Sequence, residues 1–387
     1  MERNLYTPDH EAFRDSVRTF VEREVAPHFQ QWEEQRLVDR RLWQVAARQG
    51  ILGLAVPEKH GGGGERDIRF RAVVMEELAA IGAASVQLGL SLTEDIAMPY
   101  FLELTDEDQK RRWLPGIAAG ELISAIAMTE PDAGSDLQGM RTTAVREGDQ
   151  WLLNGAKTFI TNGIQADLVV VAARTDPSAG SQGISLFVVE RDTPGFSRGR
   201  KLEKIGLHGQ DTAELFFHDA RVPAANLLGE PGTGLRSLIR CLPRERLAIA
   251  MNAQTAAEAA FGWTLEYVRE RKAFGRPIAS FQHTAFTLAE LRTALDVSQA
   301  FIDRAMLALN DGRLTVEDAA KAKWWATELQ QRVTDRGLQL HGGYGYMTEY
   351  PIARAFLDGR VQSIYGGTNE IMKEIIGRQL IRPRKAR

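Results

Sequence analysis

The feature that most restricts this chain is a change of hydrophobic period, made twice. From residue 8 to about residue 123 the apolar side chains keep helical spacing: Phe13, Val17, Phe20 and Val21 stand at i, i+4, i+7 and i+8, the stripe of a helix with one buried face. Thr7 followed by Pro8 suits an N-cap and a first helical position. Helix-forming composition returns over residues 70–84 and 106–119, and the glycines at 61–64 break the early helices apart. Between about 124 and 236 the apolar residues gather instead into short runs, 168–173, 184–189 and 213–217, each bounded by Gly, Asn, Asp or Pro, as strands are. Long segments rich in Ala, Leu, Glu, Arg and Gln then resume. Thr315 with Asp318 three residues on is a capping-box-like start for a helix running to about Leu338 and stopping in His341-Gly342-Gly343. The order α, β, α predicts an α+β chain with a helical N-terminal domain (1–123), a small middle β domain (124–236) and a helical C-terminal domain (237–387).

Length and composition narrow the function classes. A chain of 387 residues can bury a sizeable interior, and a formal charge of -3 gives no reason to expect nucleic acid as a partner. No apolar run approaches the roughly 20 residues of a membrane-spanning helix, so no span is expected. The first residues, MERNLYTPDHEAF, have neither an apolar signal core nor an Arg/Ser-rich transit character, and the expected compartment is the cytoplasm. A single cysteine, Cys241, excludes an internal disulfide framework, and none of the seven histidines is paired at three- or four-residue spacing, so no metal site is expected. Cys241 reads as a small buried apolar residue, because nothing near it in sequence would depress its pKa. The basic residues at 382–387 read as a frayed, solvated terminus.

With 35 glycines, false nucleotide motifs come easily, yet neither Gly232-Thr233-Gly234 nor Gly343-Tyr344-Gly345 extends to GxGxxG after a strand, and no GxxxxGK[ST] occurs. The segment AMTEPDAGSD (127–136) is irregular and rich in hydroxyl and backbone donors. A flavin ring needs such donors at its pyrimidine oxygens and N5, with its apolar edge against an aromatic or aliphatic wall. Thr129, Thr161 and Phe159 have that chemistry, although composition alone is better explained by a surface turn.

Five stretches in a fixed order, AMTEPDAGSD, NGAKTFITNG (154–163), RKAFGRPIASFQ (271–282), QLHGGYGY (339–346) and YGGTNEIMKE (365–374), resemble the acyl-CoA dehydrogenase family, with the last third most like its long-chain branch. The resemblance spans nearly the whole chain. It implies FAD as cofactor, a C-terminal four-helix bundle, and a homotetramer, a dimer of dimers that builds each FAD site across an interface. It implies that Ile126, Met128, Thr129, Gly134 and Ser135 line the flavin, that Phe159, Ile160 and Thr161 cover the ring and its N5 side, and that Arg271, Phe274 and Gln282 hold the pyrophosphate and adenosine part. Gln339, Gly342, Gly343, Thr368 and Glu370 match the remaining FAD contacts. Arg is suited to a bidentate phosphate contact and a Gly pair to close backbone approach, although Arg271 taken alone reads as a solvated helix residue.

Removing a proton α to a thioester while a hydride leaves the β carbon requires a carboxylate with a raised pKa. In the short- and medium-chain branches a Glu stands immediately before the Gly-Thr of the last motif, but this chain has Gly366 there. Glu245, in LPRERLAIA (242–250), matches the location used by the long-chain and isovaleryl branches. By itself a helical Glu between two Arg is a surface ion-pair residue; the missing carboxylate at Gly366 makes Glu245 the expected base. The resemblance further implies a Gly366 N–H donor to the thioester carbonyl, and acyl-CoA contacts at Ser135, Arg246, Tyr365 and Gly367. The cluster Arg198, Arg200, Lys201 and Lys204 reads as a solvated loop, with the CoA phosphates as its alternative role. The expected activity is oxidation of a long-chain acyl-CoA to the trans-2-enoyl-CoA, with electrons passed to electron-transferring flavoprotein; a branched-chain (isovaleryl) dehydrogenase, a flavin oxidase and a non-catalytic flavin-binding homologue are the alternatives.

Overall fold

In the computed structural model, which describes residues 3–381, the stripe around Phe13 forms α1 (Pro8–Phe20), with Thr7 as its N-cap and Val17 and Phe20 buried. The basic residues at 382–387 lie outside the described residues. The stripe continues through a π-helical turn at Val21–Val25 into α2 (Ala26–Gln35). Four short helices follow, α3 (Arg41–Arg48), α4 (Ile68–Ala80), α5 (Ala84–Ser91) and α6 (Met98–Glu103). The helical region ends in α7 (Glu107–Ala118), where Asp106 and Gln109 satisfy each other's backbone N–H in a capping box.

The middle region is one sheet. Its strands are β1 (Ser124–Ala127), β2 (Thr143–Glu147), β3 (Gln150–Thr161), β4 (Leu168–Arg174), β5 (Ile184–Glu190), β6 (Phe196–Lys201), β7 (Thr212–Pro223) and β8 (Leu227–Leu228), in the order β6-β7-β3-β2-β4-β5-β8 with β1 parallel beside β4. β4 reads LVVVAAR and is buried on both faces up to its last residue, so it takes an interior place in the sheet. The long antiparallel pair β3–β7 slips register twice, and the second slip, between Lys157 and Ile160, holds Phe159 in the left-handed region at φ 59°. Irregularities of this kind re-aim side chains.

The chain then enters α8 (Gly234–Glu270), about 55 Å long at helical rise. Residues 245–254 of α8 are buried on every side. Such a helix is a core element with no water-facing stripe. A small hairpin, β9 (Lys272–Ala273) and β10 (Arg276–Pro277), leads to α9 (Gln282–Asn310), α10 (Val316–His341), α11 (Pro351–Gly359) and α12 (Asn369–Ile381). Thr315 accepts the Asp318 N–H at the start of α10, as its spacing predicts. α10 packs against α8, α9, α11 and α12, while α4 from the first region packs on α8. Among the described residues no helix is long and apolar enough to cross a membrane.

One buried ion pair ties the first region together. Arg71 on α4 donates to both oxygens of Asp95 at 2.9 and 3.1 Å and to the Ile51 carbonyl, while Ser91 donates to Asp95 at 2.6 Å. Asp95 sits in the π-helical turn Leu92–Ala97 that runs directly into α6, so the pair also sets the position of Tyr100. Asp95→Ala leaves a buried guanidinium without its counter-charge and is expected to cost about 3–5 kcal/mol, read as a lower midpoint in denaturant unfolding; a change below about 1 kcal/mol would show that the pair anchors nothing.

Candidate active site

α8 carries a carboxyl into the interior. Glu245 is 3% exposed, two residues after Pro243, which removes one backbone donor from the helix. Its Oε1 accepts a 2.7 Å hydrogen bond from the Tyr100 hydroxyl of α6. Burial pushes the Glu245 carboxyl up to about 7, against the smaller opposing pulls of the Tyr100 hydrogen bond and the Arg246 charge. The surface ion-pair reading of the sequence is therefore wrong. Cys241, one turn earlier, is buried as expected, and burial raises its thiol to about 12.

Facing this part of α8 is the Gly366-Gly367 turn, with φ of 64° and 91°. A Cβ on Gly366 would lie 2.3 Å from Cδ1 of Ile249. Ile249 stands four residues after Glu245, on the same helical face, so this contact places the carboxyl beside the turn. Arg246 is buried and its Nε approaches the Gly366 carbonyl at 3.4 Å.

Gly366 and Gly367 line a cleft of about 720 Å³ together with Tyr365 and Thr368; the opposite wall carries Thr129, Gly134, Ser135, Phe159 and Thr161. Glu245 is not on the cleft surface; Ile249, one turn further along α8, is the residue that reaches Gly366 on the cleft wall. Phe159, 68% exposed, offers a ring to the cleft. Ile126 and Ile160 are buried in the sheet core, and Met128 packs against that core. Of the expected flavin-lining side chains these three stand behind the wall.

Two residues that sequence reasoning passed over hold that wall. Lys157, fully buried, donates to Glu130 Oε1 at 2.8 Å and to the Met128 carbonyl at 3.1 Å, and Glu130 also accepts the Arg141 and Thr142 N–H groups. Burial lowers the Lys157 pKa; it also opposes ionisation of Glu130, but the Lys157 charge and the Arg141 N–H keep that carboxyl below its ordinary value. The Thr158 N–H closes on the Thr129 carbonyl at 3.0 Å. Glu130 lies in AMTEPDAGSD and Lys157 in NGAKTFITNG, but the first motif carries three acidic residues, and nothing in the sequence singles out the one that Lys157 meets.

The remaining expected residues are not on the cleft surface: Arg271, Phe274, Gln282, Gln339, Gly342 and Gly343 stand around the ends of α8 and α10, and Glu370 stands two residues after cleft-lining Thr368. Arg271, at the end of α8, lies over the Tyr344 ring at 5.5 Å, and Tyr267 donates to the His341 carbonyl next to Gly342, whose φ is 60°. Gln339 lies in the last turn of α10, Gln282 opens α9, and Phe274 projects from the β9–β10 hairpin, 94% exposed. Glu370 is exposed in the first turn of α12. The basic cluster also departs from expectation. Arg198 donates to the Gly163 and Ala166 carbonyls, Lys201 to the Arg36 carbonyl and Lys204 to the Gln210 carbonyl, so three of the four bind backbone; Arg200, largely exposed, stands 3.9 Å from Glu214, and Arg200, Lys201 and Lys204 line the cleft.

These residues fit a flavin. Hydroxyls of Thr129 and Thr161 and an aromatic face at Phe159 share one wall, and open space surrounds the Gly134 Cα where a side chain would intrude. Arg271 beside the exposed glycines at 342–343 suits a phosphate. A ring-sized cleft next to a buried carboxyl that titrates near neutrality is the equipment of a flavin-dependent oxidoreductase able to take a proton from its substrate.

Sequence and structure comparisons carry this to a family. The acyl-CoA dehydrogenase N-terminal, middle and C-terminal domain families match residues 7–121, 125–220 and 232–381. The mitochondrial long-chain specific acyl-CoA dehydrogenase of Sus scrofa is 50% identical over 381 residues, covering 98% of this chain and 88% of that protein. The acyl-CoA dehydrogenase of Geobacillus kaustophilus superposes with a TM-score of 0.96 at 50% identity, covering 98% of this chain and 100% of that one. A Mycobacterium smegmatis glutaryl-CoA dehydrogenase in complex with FADH2 gives a TM-score of 0.91 at 29% identity, over 99% and 97% of the two chains. The chain belongs to the acyl-CoA dehydrogenase family of FAD-dependent oxidoreductases.

The Ile249–Gly366 contact yields a test of this geometry. Gly366→Ala adds a clash and a left-handed alanine, together about 2–4 kcal/mol of lost stability. Adding Ile249→Val removes the clashing methyl and should return about half of that loss in denaturant unfolding; strictly additive losses in the double variant would disprove the contact.

Proposed function

We propose that this protein oxidises a long-chain acyl-CoA to the trans-2-enoyl-CoA, with Glu245 as the base, and passes the electrons to electron-transferring flavoprotein. The observation that carries the reading is a carboxyl on α8 that is almost wholly buried, pushed up to about 7, and flanked in the helix by Arg246 and Ile249, which both reach Gly366, in a chain with no carboxylate at position 366. Half identity to long-chain specific enzymes over nearly the whole chain supports the chain length.

The thioester lies in the cleft with its carbonyl at the Gly366 N–H, where enolate charge develops as the α-proton leaves. Glu245 takes that proton. In the resting structure Tyr100 holds the carboxyl, and on this reading a change of rotamer turns it toward the cleft when substrate binds. Bound FAD supplies the acceptor for the hydride that leaves the β carbon. Thr129, Thr161 and Phe159 orient the ring beside Gly134 and Ser135, with Ile126, Met128 and Ile160 backing that wall from the core. Tyr365, Gly367, Arg246 and Ser135 position the acyl-CoA. Arg271, Phe274, Gln282, Gln339, Gly342, Gly343, Thr368 and Glu370 hold the remainder of FAD, most of them from a second protomer. The exposed apolar side chains Phe274, Phe286, Val297 and Tyr346 support an assembly, for which we propose a homotetramer. The cytoplasm is the proposed compartment.

Anaerobic titration of the yellow protein with acyl-CoAs of graded length tests the substrate: loss of flavin absorbance should be fullest for long chains, and bleaching by none of them would end the reading. Glu245→Gln should keep its flavin while kcat falls by about 10² to 10⁴; near-normal turnover would move the base elsewhere. Because Glu245 must be ionised to accept a proton, kcat/KM should rise through a midpoint near 7 as pH increases. The Tyr100 hydrogen bond favours the ionised form, so Tyr100→Phe should carry that midpoint to higher pH; a profile that stays put or moves to lower pH contradicts the pairing.

A further inference from the structure

A second cation lies beneath the Gly366 turn. Lys323, in the second turn of α10, is 0% exposed. Its ammonium donates to the Gly367 carbonyl at 2.9 Å and to Asn369 Oδ1 at 3.0 Å, and Asn369 is itself bonded to Thr327, one turn further along α10. Among the described residues no carboxylate is bonded to it. Burial, then the charge of Arg246, push Lys323 down to about 7, with Glu370 opposing. A methionine would fill the same volume without the cost of desolvating a cation beside another cation. What the lysine adds is therefore its hold on the turn.

That hold has a direction. The carbonyls of Gly366, Gly367 and Thr368 are all engaged, by Arg246, by Lys323 and by the Met372 N–H. Among the described residues, the N–H groups of the same three residues have no protein acceptor. All three residues line the cleft. Two consecutive left-handed glycines have many alternatives open to them, and fixing their carbonyl edge fixes the amide edge as well. Successive N–H groups presented in this way make an anion-binding concavity, which a thioester carbonyl needs as it becomes an enolate.

We propose that Lys323 is a positioning residue for the oxyanion donors: by gripping the Gly367 carbonyl and Asn369 from behind, it keeps the Gly366 amide and its two neighbours aimed into the cleft. The proposal rests on the dehydrogenase reading of the site and extends it to a residue that does not touch substrate.

A 3-thiaacyl-CoA separates this role from a structural one. With sulfur in place of the β carbon it can lose its α-proton but has no hydride to give, and its bound anion produces a long-wavelength charge-transfer band with the flavin. In Lys323→Met, flavin content and thermal midpoint should match or exceed wild type, and KM for a long-chain acyl-CoA should stay within about 3-fold while kcat falls about 10- to 100-fold. The pH at which the 3-thiaacyl band is half developed should rise by about one unit or more, although Glu245 and Arg246 are untouched. An unchanged band midpoint, with or without a loss of kcat, overturns the proposal. If Lys323→Met does not fold, Asn369→Ala decides, since it removes one of the two anchors: a smaller rise of the midpoint supports the role and a midpoint equal to wild type overturns it. A wild-type protein that gives no band and is bleached by no acyl-CoA sinks the dehydrogenase reading, and this proposal with it.

Discussion

The hydrogen bond between Tyr100 and Glu245 joins the first helical region to the helix that runs through the centre of the molecule, and much of the remaining architecture keeps those two side chains together. α6 can bring Tyr100 to α8 only because the π-helical turn before it is locked by Arg71, Asp95 and Ser91. α8 can carry a carboxyl so deep only because it is buried all round over residues 245–254, where five alanine and amide side chains let neighbouring helices come close. The raised pKa follows from that burial, and the single hydroxyl donor keeps the charged form within reach near neutrality.

Interior charges in this protein act as clamps on backbone. Lys157 holds the Met128 carbonyl, Glu130 the amides of Arg141 and Thr142, Glu94 the amide of Gly53, Asp358 the amide of Leu207, and Lys323 the carbonyl of Gly367. Each pays a desolvation cost that an apolar side chain would avoid, and each fixes a loop or turn bordering the cleft or the helices behind it. The sheet and the helical bundle supply rigid mass, while these polar contacts determine how irregular segments sit upon it.

The architecture was legible because period is local. Helical spacing around Val17 and the apolar run of β4 depend on neighbours a few residues away, and both appear where the spacing puts them. The capping boxes at Thr7 and Asp106 and the cap at Thr315 are local in the same sense. Glu245 was reachable by a different route, from a family pattern and a gap in it at Gly366. Tyr100, Lys157 and Lys323 were not reachable. Their partners stand 145, 27 and 44 residues away, and nothing in a Tyr or Lys codon position distinguishes a buried clamp from a solvated side chain. The basic residues between 198 and 204 misled for the same reason, since the carbonyls they bind come from other parts of the chain.

The packing of Ile249 against Gly366 bears on how such proteins can diverge. The space that a side chain at position 366 would need is filled by a residue one helical turn from the existing carboxyl. A side chain placed at position 366 therefore meets the end of the Ile249 side chain, and the two positions are coupled. A carboxylate introduced at 366 would thus be accommodated more readily beside a shorter residue at 249, so what one element can carry depends on how far its neighbour reaches.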